Sequence, residues 1–435
     1  MFDRDGVSLW GDVPIHPFGY FFYSPDVAIS STGDVFIGGE ASSGIRVARV
    51  GLAGTLDWDR VATTGTFSGA DQTRVLPNAD GGCYVAWRQY AQSEHRTHVQ
   101  RFDATGGTPW GSNGRVYDTG ANGYALELLD DQSDGVVMVA KGNAGITIRR
   151  IAADGSLVWG PIQVAPSATI YQASAVSDGE GGAIVAWTDN GQGGGAYHAF
   201  IQRIDGEGTV EWQSTGVRLS ATALGYTPRT APDGSGGAFA AWADEAYSLH
   251  YDHVSPSGHP AIGSGGASIS SAASFPQNLM VQPASNGSAW ISWTTDQSPL
   301  LTCRVTVTGV AIGSEFAVPV SAPQVDTIRI SKPATNPDGV GGIFLTWVQG
   351  ENGIPDRPLV SRILPSGVPA SFGGISVTVA DLTDDEGVGS APRFTALTPI
   401  ALRIPACAAT RSGGGSKAPL HSVSRSSDQH SIGRA

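Results

Sequence analysis

The sequence predicts an all-β fold of radially stacked, four-stranded antiparallel sheets, and three observations carry that expectation. A unit of about fifty residues recurs along most of the chain. Within each unit, four apolar stretches of strand length lie between glycine-rich turns. No segment reads as a long amphipathic helix. Four antiparallel strands per repeat, in tandem, is the pattern of a β-propeller blade. Seven blades are expected, with eight left open.

The first mark of the unit is a glycine opening a short apolar run that often ends in tryptophan. It reads Gly82-Cys-Tyr-Val-Ala-Trp87, Gly182-Ala-Ile-Val-Ala-Trp187, Gly237-Ala-Phe-Ala-Ala-Trp242 and Gly342-Ile-Phe-Leu-Thr-Trp347. Weaker copies begin at Gly33, Gly135 and Ser288, the last ending in Trp293. The second mark is a basic residue: Arg49, Arg101, Arg150, Arg203, His253, Arg304 and Arg362. The third is a turn glycine five positions later: Gly54, Gly106, Gly155, Gly208, Gly258, Gly309 and Gly367. Trp58, Trp110, Trp159, Trp212 and Ile262 follow this glycine by four, and Gly6 with Trp10 adds an eighth copy. In the fourth unit the strands are expected near 171–177, 182–188, 198–205 and 210–219. Asp178-Gly-Glu-Gly-Gly182 and Asp205-Gly-Glu-Gly208 supply the positive φ values of the hairpins between them.

Residues 1–18 read as the last strands of an earlier unit, and 19–380 as seven complete repeats. Residues 381–397 read as the start of a further one, its opening strand at 389–397. The stretch 398–435 loses the pattern, is rich in Gly, Ser and Pro, and is expected to be disordered. The repeat resembles the tandem propeller repeats of bacterial secreted and cell-surface proteins, with their "DGxGGaxvaW…Rid..G..lWg" pattern. The resemblance spans roughly residues 1–397. It implies an extracellular or cell-surface module, part of a larger polypeptide. Kelch and WD repeats and the sialidase Asp-box fail on the position or presence of their signature residues.

Composition narrows the function classes. Lys and Arg number 26 against 39 Asp and Glu, a net charge of −13, so a phosphate backbone would be repelled and nucleic-acid binding is not expected. No apolar run is long enough to span a membrane. Cys83, Cys303 and Cys407 have no metal-ligand spacing, and the first two fall on strands as buried thiols. No cofactor motif is present, and no metal site is expected. His250 and His253 lie three apart on a strand and face opposite ways. Asp178, Asp233 and Asp338 offer one carboxylate per turn, too few for calcium and well suited to turn chemistry.

All the length variation between units falls on one face, formed by the second-to-third loops and the crossovers between blades. Variable loops on a rigid scaffold commonly carry binding. Tyr124, Tyr171 and Tyr226 stand eleven residues before their strand-two glycines, and longer loops add Tyr90, Tyr197 and Tyr247. These six are the candidate ligand-binding residues, with blade-to-blade packing as the competing role. Arg49, Arg101, Arg150, Arg203, Arg304 and Arg362 are read as structural, as are Trp87, Trp187, Trp242, Trp293 and Trp347. Asp103 and Asp205, two residues after their arginines, lie within reach of a neighbour. The favoured reading is a non-catalytic module binding a glycan or a protein, and no catalytic residue is identified. A polysaccharide hydrolase or lyase acting in the channel, and a purely structural spacer, stay open. An enzyme would show carboxylates or a His converging at the channel with perturbed pKa values.

Overall fold

The computed structural model describes residues 23–367 except 42–43, 63–69, 92–93, 121–123, 144, 166–169, 171, 191–195, 222–223, 264, 271–275, 296–299, 309–310, 318–328, 338–340 and 352–353. The expectations for 1–18, 381–397 and 398–435 lie outside the described residues, as do Cys407 and Asp338.

The fold is a β-propeller, and no helix occurs among the described residues. Blade one comprises β1 (Tyr23–Ile29), β2 (Val35–Ala41), β3 (Gly44–Val50) and β4 (Leu56–Val61). Blade two has β5 (Ala70–Pro77), β6 (Cys83–Ala91), β7 (Glu94–Phe102) and β8 (Arg115–Gly120). Blade three has β9 (Tyr124–Asp130), β10 (Val136–Gly142), β11 (Gly145–Ile151) and β12 (Leu157–Ala165). Blade four has β13 (Ala173–Ser177), β14 (Ala183–Asp189), β15 (His198–Ile204) and β16 (Val217–Arg218). Blade five has β17 (Leu224–Pro232), β18 (Ala238–Asp244), β19 (Leu249–Val254) and β20 (Ala267–Ser270). Blade six has β21 (Gln277–Ala284), β22 (Ser288–Thr294), β23 (Leu300–Thr306) and β24 (Ala311–Ala317). Blade seven shows three strands among the described residues, β25 (Arg329–Pro337), β26 (Ile343–Glu351) and β27 (Ile354–Ile363). In every sheet, consecutive strands pair antiparallel.

In a blade with a neighbour on either side, the second strand is sandwiched between the two, which explains its unbroken apolar run. In β14 the two faces of the strand serve different seams. Ala183, Val185 and Trp187 pack with Val137, Val139 and Ile148 of blade three. Ile184 and Ala186 pack with Ala238, Ala240 and Trp242 of blade five. The terminal tryptophans anchor this packing: Trp87, Trp187, Trp242 and Trp293 are at most 2% exposed. Trp87, Trp187 and Trp242 stack on the residue directly opposite on strand three, His98 at 5.1 Å, Phe200 at 5.8 Å and His250 at 6.1 Å. Burying such a ring contributes on the order of 3 kcal/mol. Trp347 lies on β26, opposite Leu359 in register. Cys83 and Cys303 are buried in these layers and form no disulfide.

The hairpin between strands one and two is closed by its aspartate. Asp178 Oδ1 accepts from the backbone N–H of Glu180 at 2.9 Å and of Gly182 at 2.8 Å. A side chain at Gly182 would collide with the Ile204 carbonyl and the Asp178 carboxylate, so this position admits only glycine. Asp131 and Asp233 make the same bonds to Gly135 and Gly237 in blades three and five. Neighbouring blades touch along their first strands, β1 with β5 through to β21 with β25, and this sets those strands around the axis.

Candidate functional site

Antiparallel order puts the first-to-second and third-to-fourth turns on one face of the disc and the remaining connections on the other. On the turn face, side chains of one blade bond the turn of the next. Trp58 Nε1 donates to the Ala104 carbonyl at 3.1 Å, and Trp110 Nε1 to Ala153 at 2.9 Å. Trp159 Nε1 donates to Gly206 at 2.8 Å and Trp212 Nε1 to Pro256 at 2.9 Å. Each acceptor lies three residues after the next blade's basic residue. Arg49, Arg101 and Arg150 donate to the same carbonyls as Trp58, Trp110 and Trp159, at 2.8, 3.4 and 2.7 Å. Arg304 donates to the Pro365 carbonyl at 2.8 Å. The turn glycine must sit beneath the ring: at Gly208, with φ +87°, a Cβ would stand 3.0 Å from Trp159.

The carboxylate partners of these arginines come mainly from the first-to-second turn. Arg49 pairs with Asp34 at 3.1 Å, Arg150 with Asp131 at 3.0 Å and Arg203 with Asp178 at 3.1 Å. Arg101 reaches Asp80 of its own blade and Asp134 of the next, both at 2.9 Å. Arg362 lies 5.6 Å from the Phe344 ring, its direct cross-strand neighbour. Asp103 and Asp205 serve a different end. Asp103 Oδ1 accepts from Thr105 and Gly107, and Asp205 Oδ1 from Glu207 and Thr209. The nearest donors to an aspartate at a turn corner are the amides two and four residues on, which outcompete a guanidinium across the strand. His250 and His253 part as their spacing implies, His250 to Asp244 at 2.9 Å and His253 to Asp233 at 2.8 Å.

The loop face carries the candidate tyrosines. Tyr90, at the end of β6, meets His95 edge-on at 4.8 Å and accepts from Arg88 Nη2 at 2.7 Å, whose guanidinium lies 5.0 Å from its ring. Tyr197 precedes β15 and is 37% exposed. Tyr247 stands in the β18–β19 turn at φ +65°, 43% exposed. That turn is fixed by Asp244, whose Oδ1 accepts from Ser248 N and whose Oδ2 meets His250. Tyr124 starts β9 and Tyr226 falls on β17, so both strand positions belong to this face; their side chains, and Tyr171 entirely, lie outside the described residues.

A second feature, missed from sequence, surrounds the axis. Asp26, Arg74, Glu127, Ser174, Arg229, Met280 and Ala334 occupy one register position of the seven first strands. They stand opposite Gly38, Ala86, Val139, Ala186, Ala241, Ser292 and Thr346 of the second strands. Asp26 Oδ2 accepts from Val75 N at 2.8 Å, and Arg74 Nε lies 4.0 Å from Glu127 Oε2. Burial pushes the Glu127 carboxyl up to about 7; Arg74 opposes the rise and Asp26 adds to it. Ser174 donates to the Pro228 carbonyl and Arg229 Nε to the Leu279 carbonyl, each on the next blade. The available signal was a charged residue inside an otherwise apolar first strand, as in Ala125-Leu-Glu-Leu-Leu129.

No group of three or more His, Cys, Asp or Glu among the described residues could hold a metal ion. No helix there is long and apolar enough to cross a membrane. No protein-family model matches the chain, and comparison with curated proteins also finds no match. Among solved structures, a lectin from Burkholderia pseudomallei is 14% identical with a TM-score of 0.49, over 82% of this chain and 99% of the lectin. A puromycin hydrolase is 11% identical with a TM-score of 0.46, over 86% of this chain and 55% of the hydrolase. A GH43 endo-arabinanase from Bacillus licheniformis is 11% identical with a TM-score of 0.30, over 60% of this chain and 99% of the enzyme.

Proposed function

We propose that the chain is a non-catalytic interaction propeller that binds a glycan or a protein through its loop face. In this reading it is an extracellular or cell-surface module of a larger polypeptide. The division of labour between the two faces carries the proposal. On the turn face, Trp58, Trp110, Trp159 and Trp212 spend their indole donors on neighbouring blades. On the loop face, Tyr197 and Tyr247 present ring surface to solvent, and Tyr90 stands with Arg88 and His95. Rigid aromatic faces give contact area at low entropic cost, and a phenol adds a polar handle for hydroxyl or amide partners. A glycan array probed with the intact chain and with the Tyr197→Ala/Tyr247→Ala double variant tests this. The bound set should weaken about tenfold in the variant, as loss of two contact rings implies. Unchanged capture refutes the loop face as the site.

A polysaccharide hydrolase or lyase is the second reading, favoured by Glu127 alone. A carboxyl titrating near neutrality beside a second carboxylate, Asp26, is suited to proton transfer. Polysaccharide cleavage abolished by Glu127→Gln would establish it. Neither capture nor cleavage is the outcome for a purely structural spacer.

A further inference from the structure

The axial ring is electrically lopsided. In its first sector, Arg74 lies between two acids: Glu127 stands 4.0 Å away, and Asp26 extends toward the same strand to accept from Val75. In the sector beyond Ser174, Arg229 faces a different situation. Its Nε donates to the Leu279 carbonyl at 3.2 Å, and it has no carboxylate partner among the described residues. The matching residues of the next two blades, Met280 and Ala334, carry no charge. Burial opposes the Arg229 charge and no acid among the described residues compensates it, so its pKa falls below the ordinary arginine value. A guanidinium nonetheless keeps its proton. The part of its fork turned away from Leu279 is a two-pronged donor, matched in shape to a carboxylate.

At the same register position of their own blades, Asp26 and Glu127 carry acceptor oxygens, which suit hydroxyl or ammonium donors. We propose that the channel at this level binds a small carboxylate-bearing ligand that also carries hydroxyl or ammonium groups. Arg229 holds the carboxylate, and the donor groups turn toward Asp26 and Glu127. A sugar acid and an amino acid share this chemistry. The proposal is independent of the loop face, because none of its residues lies there.

The test is calorimetric titration of the intact chain with D-glucuronate, with L-alanine and with D-glucose. One of the two carboxylate probes should bind and glucose should not; glucuronate alone identifies a sugar acid, alanine alone an amino acid. Arg229→Gln should weaken that binding about tenfold or more, Arg229→Lys less, and Tyr197→Ala/Tyr247→Ala not at all. Equal binding by Arg229→Gln, tighter or equal binding of glucose, or no binding of either carboxylate overturns the proposal. Should Arg229→Gln not fold, the Arg229 Nε–H resonance of the intact chain, assigned through Arg229→Lys, reads the same contact. It must move on titration, and a static resonance refutes the site.

Discussion

Blades four and five are built on one plan and held together differently. In blade four, Gln202 Oε1 accepts from the amides of Arg203 and Trp212, and its Nε2 donates to the Gln213 carbonyl. Arg203 binds Asp178 and Glu180, and Trp212 reaches the next blade's turn. Blade five has Asp252, His253 and Ile262 in the same three places. Asp252 Oδ1 still accepts from both following amides, of His253 and Ile262. Its Oδ2, however, is buried without a partner, because a carboxylate has no N–H to give. His253 binds Asp233, and Ile262 has no indole donor for blade six. Apolar packing, which blades four and five also share, continues across this seam without that latch. Phe239, Ala241 and Tyr251 of blade five meet Leu279, Val281 and Ile291 of blade six in one core, with Ile262 against it. Both seams thus have an apolar core, and the blade-four seam adds an indole latch at the turn face that Ile262 does not supply to the next.

The contrast is sharpest in the basic residue. Removing Arg203 leaves the Asp178 carboxylate, 0% exposed in its side chain, without its counterion. Arg203→Ala is expected to cost about 3–5 kcal/mol in chemical denaturation. His253→Ala should cost about 1–2 kcal/mol, because it removes one hydrogen bond to Asp233, where Arg203 makes two to Asp178 and another to Glu180. Equal losses would erase the distinction between the blades.

A smaller effect follows from Asp233. Burial alone would raise its carboxyl, but bonds from His253, Ser235 and Gly237 outweigh burial and bring it down to about 2. A depressed carboxyl adds stability above its ordinary value near 4, and that contribution is lost as pH falls toward the folded value. Asp233→Asn should therefore be less stable than the parent by about 1–2 kcal/mol at neutral pH. The gap should close between about pH 4 and pH 2 in denaturation series at stepped pH.

The smallest expected effect has the opposite sign. Burial raises the Asp252 carboxyl, and the amides of Ile262, His253, Gly263 and Ala261 only partly offset it. Ionised Asp252 costs stability, fully above its folded pKa and not at all below the ordinary carboxylate range. Asp252→Asn should gain stability at neutral pH, a gain that vanishes below about pH 4 in the same denaturation series. A loss at neutral pH would show that blade five needs the charge.

Much of the fold was legible because its instructions are local. Gly182, Trp187, Arg203 and Gly208 each answer to a constraint met within a hairpin or at one neighbour, and the constraint repeats with the blade. The fourth unit's strands lie within a few residues of expectation, except that β16 is only Val217–Arg218. The axial ring was not legible. Arg74, Glu127 and Arg229 look like scattered charges until blade stacking brings strands some fifty residues apart to one level. For Asp103 and Asp205, strand face alone points to a neighbour, and it ignores the nearer amides of their own turns. Length variation singles out the tyrosines, a signal that names a face and stops short of a ligand.

The latches also have a sense of direction. Among the described residues, the indoles and guanidinia that cross a seam give their hydrogens to the blade that follows in the chain. Each such latch is therefore one-way, its donor on the earlier blade and its acceptor carbonyl on the later one.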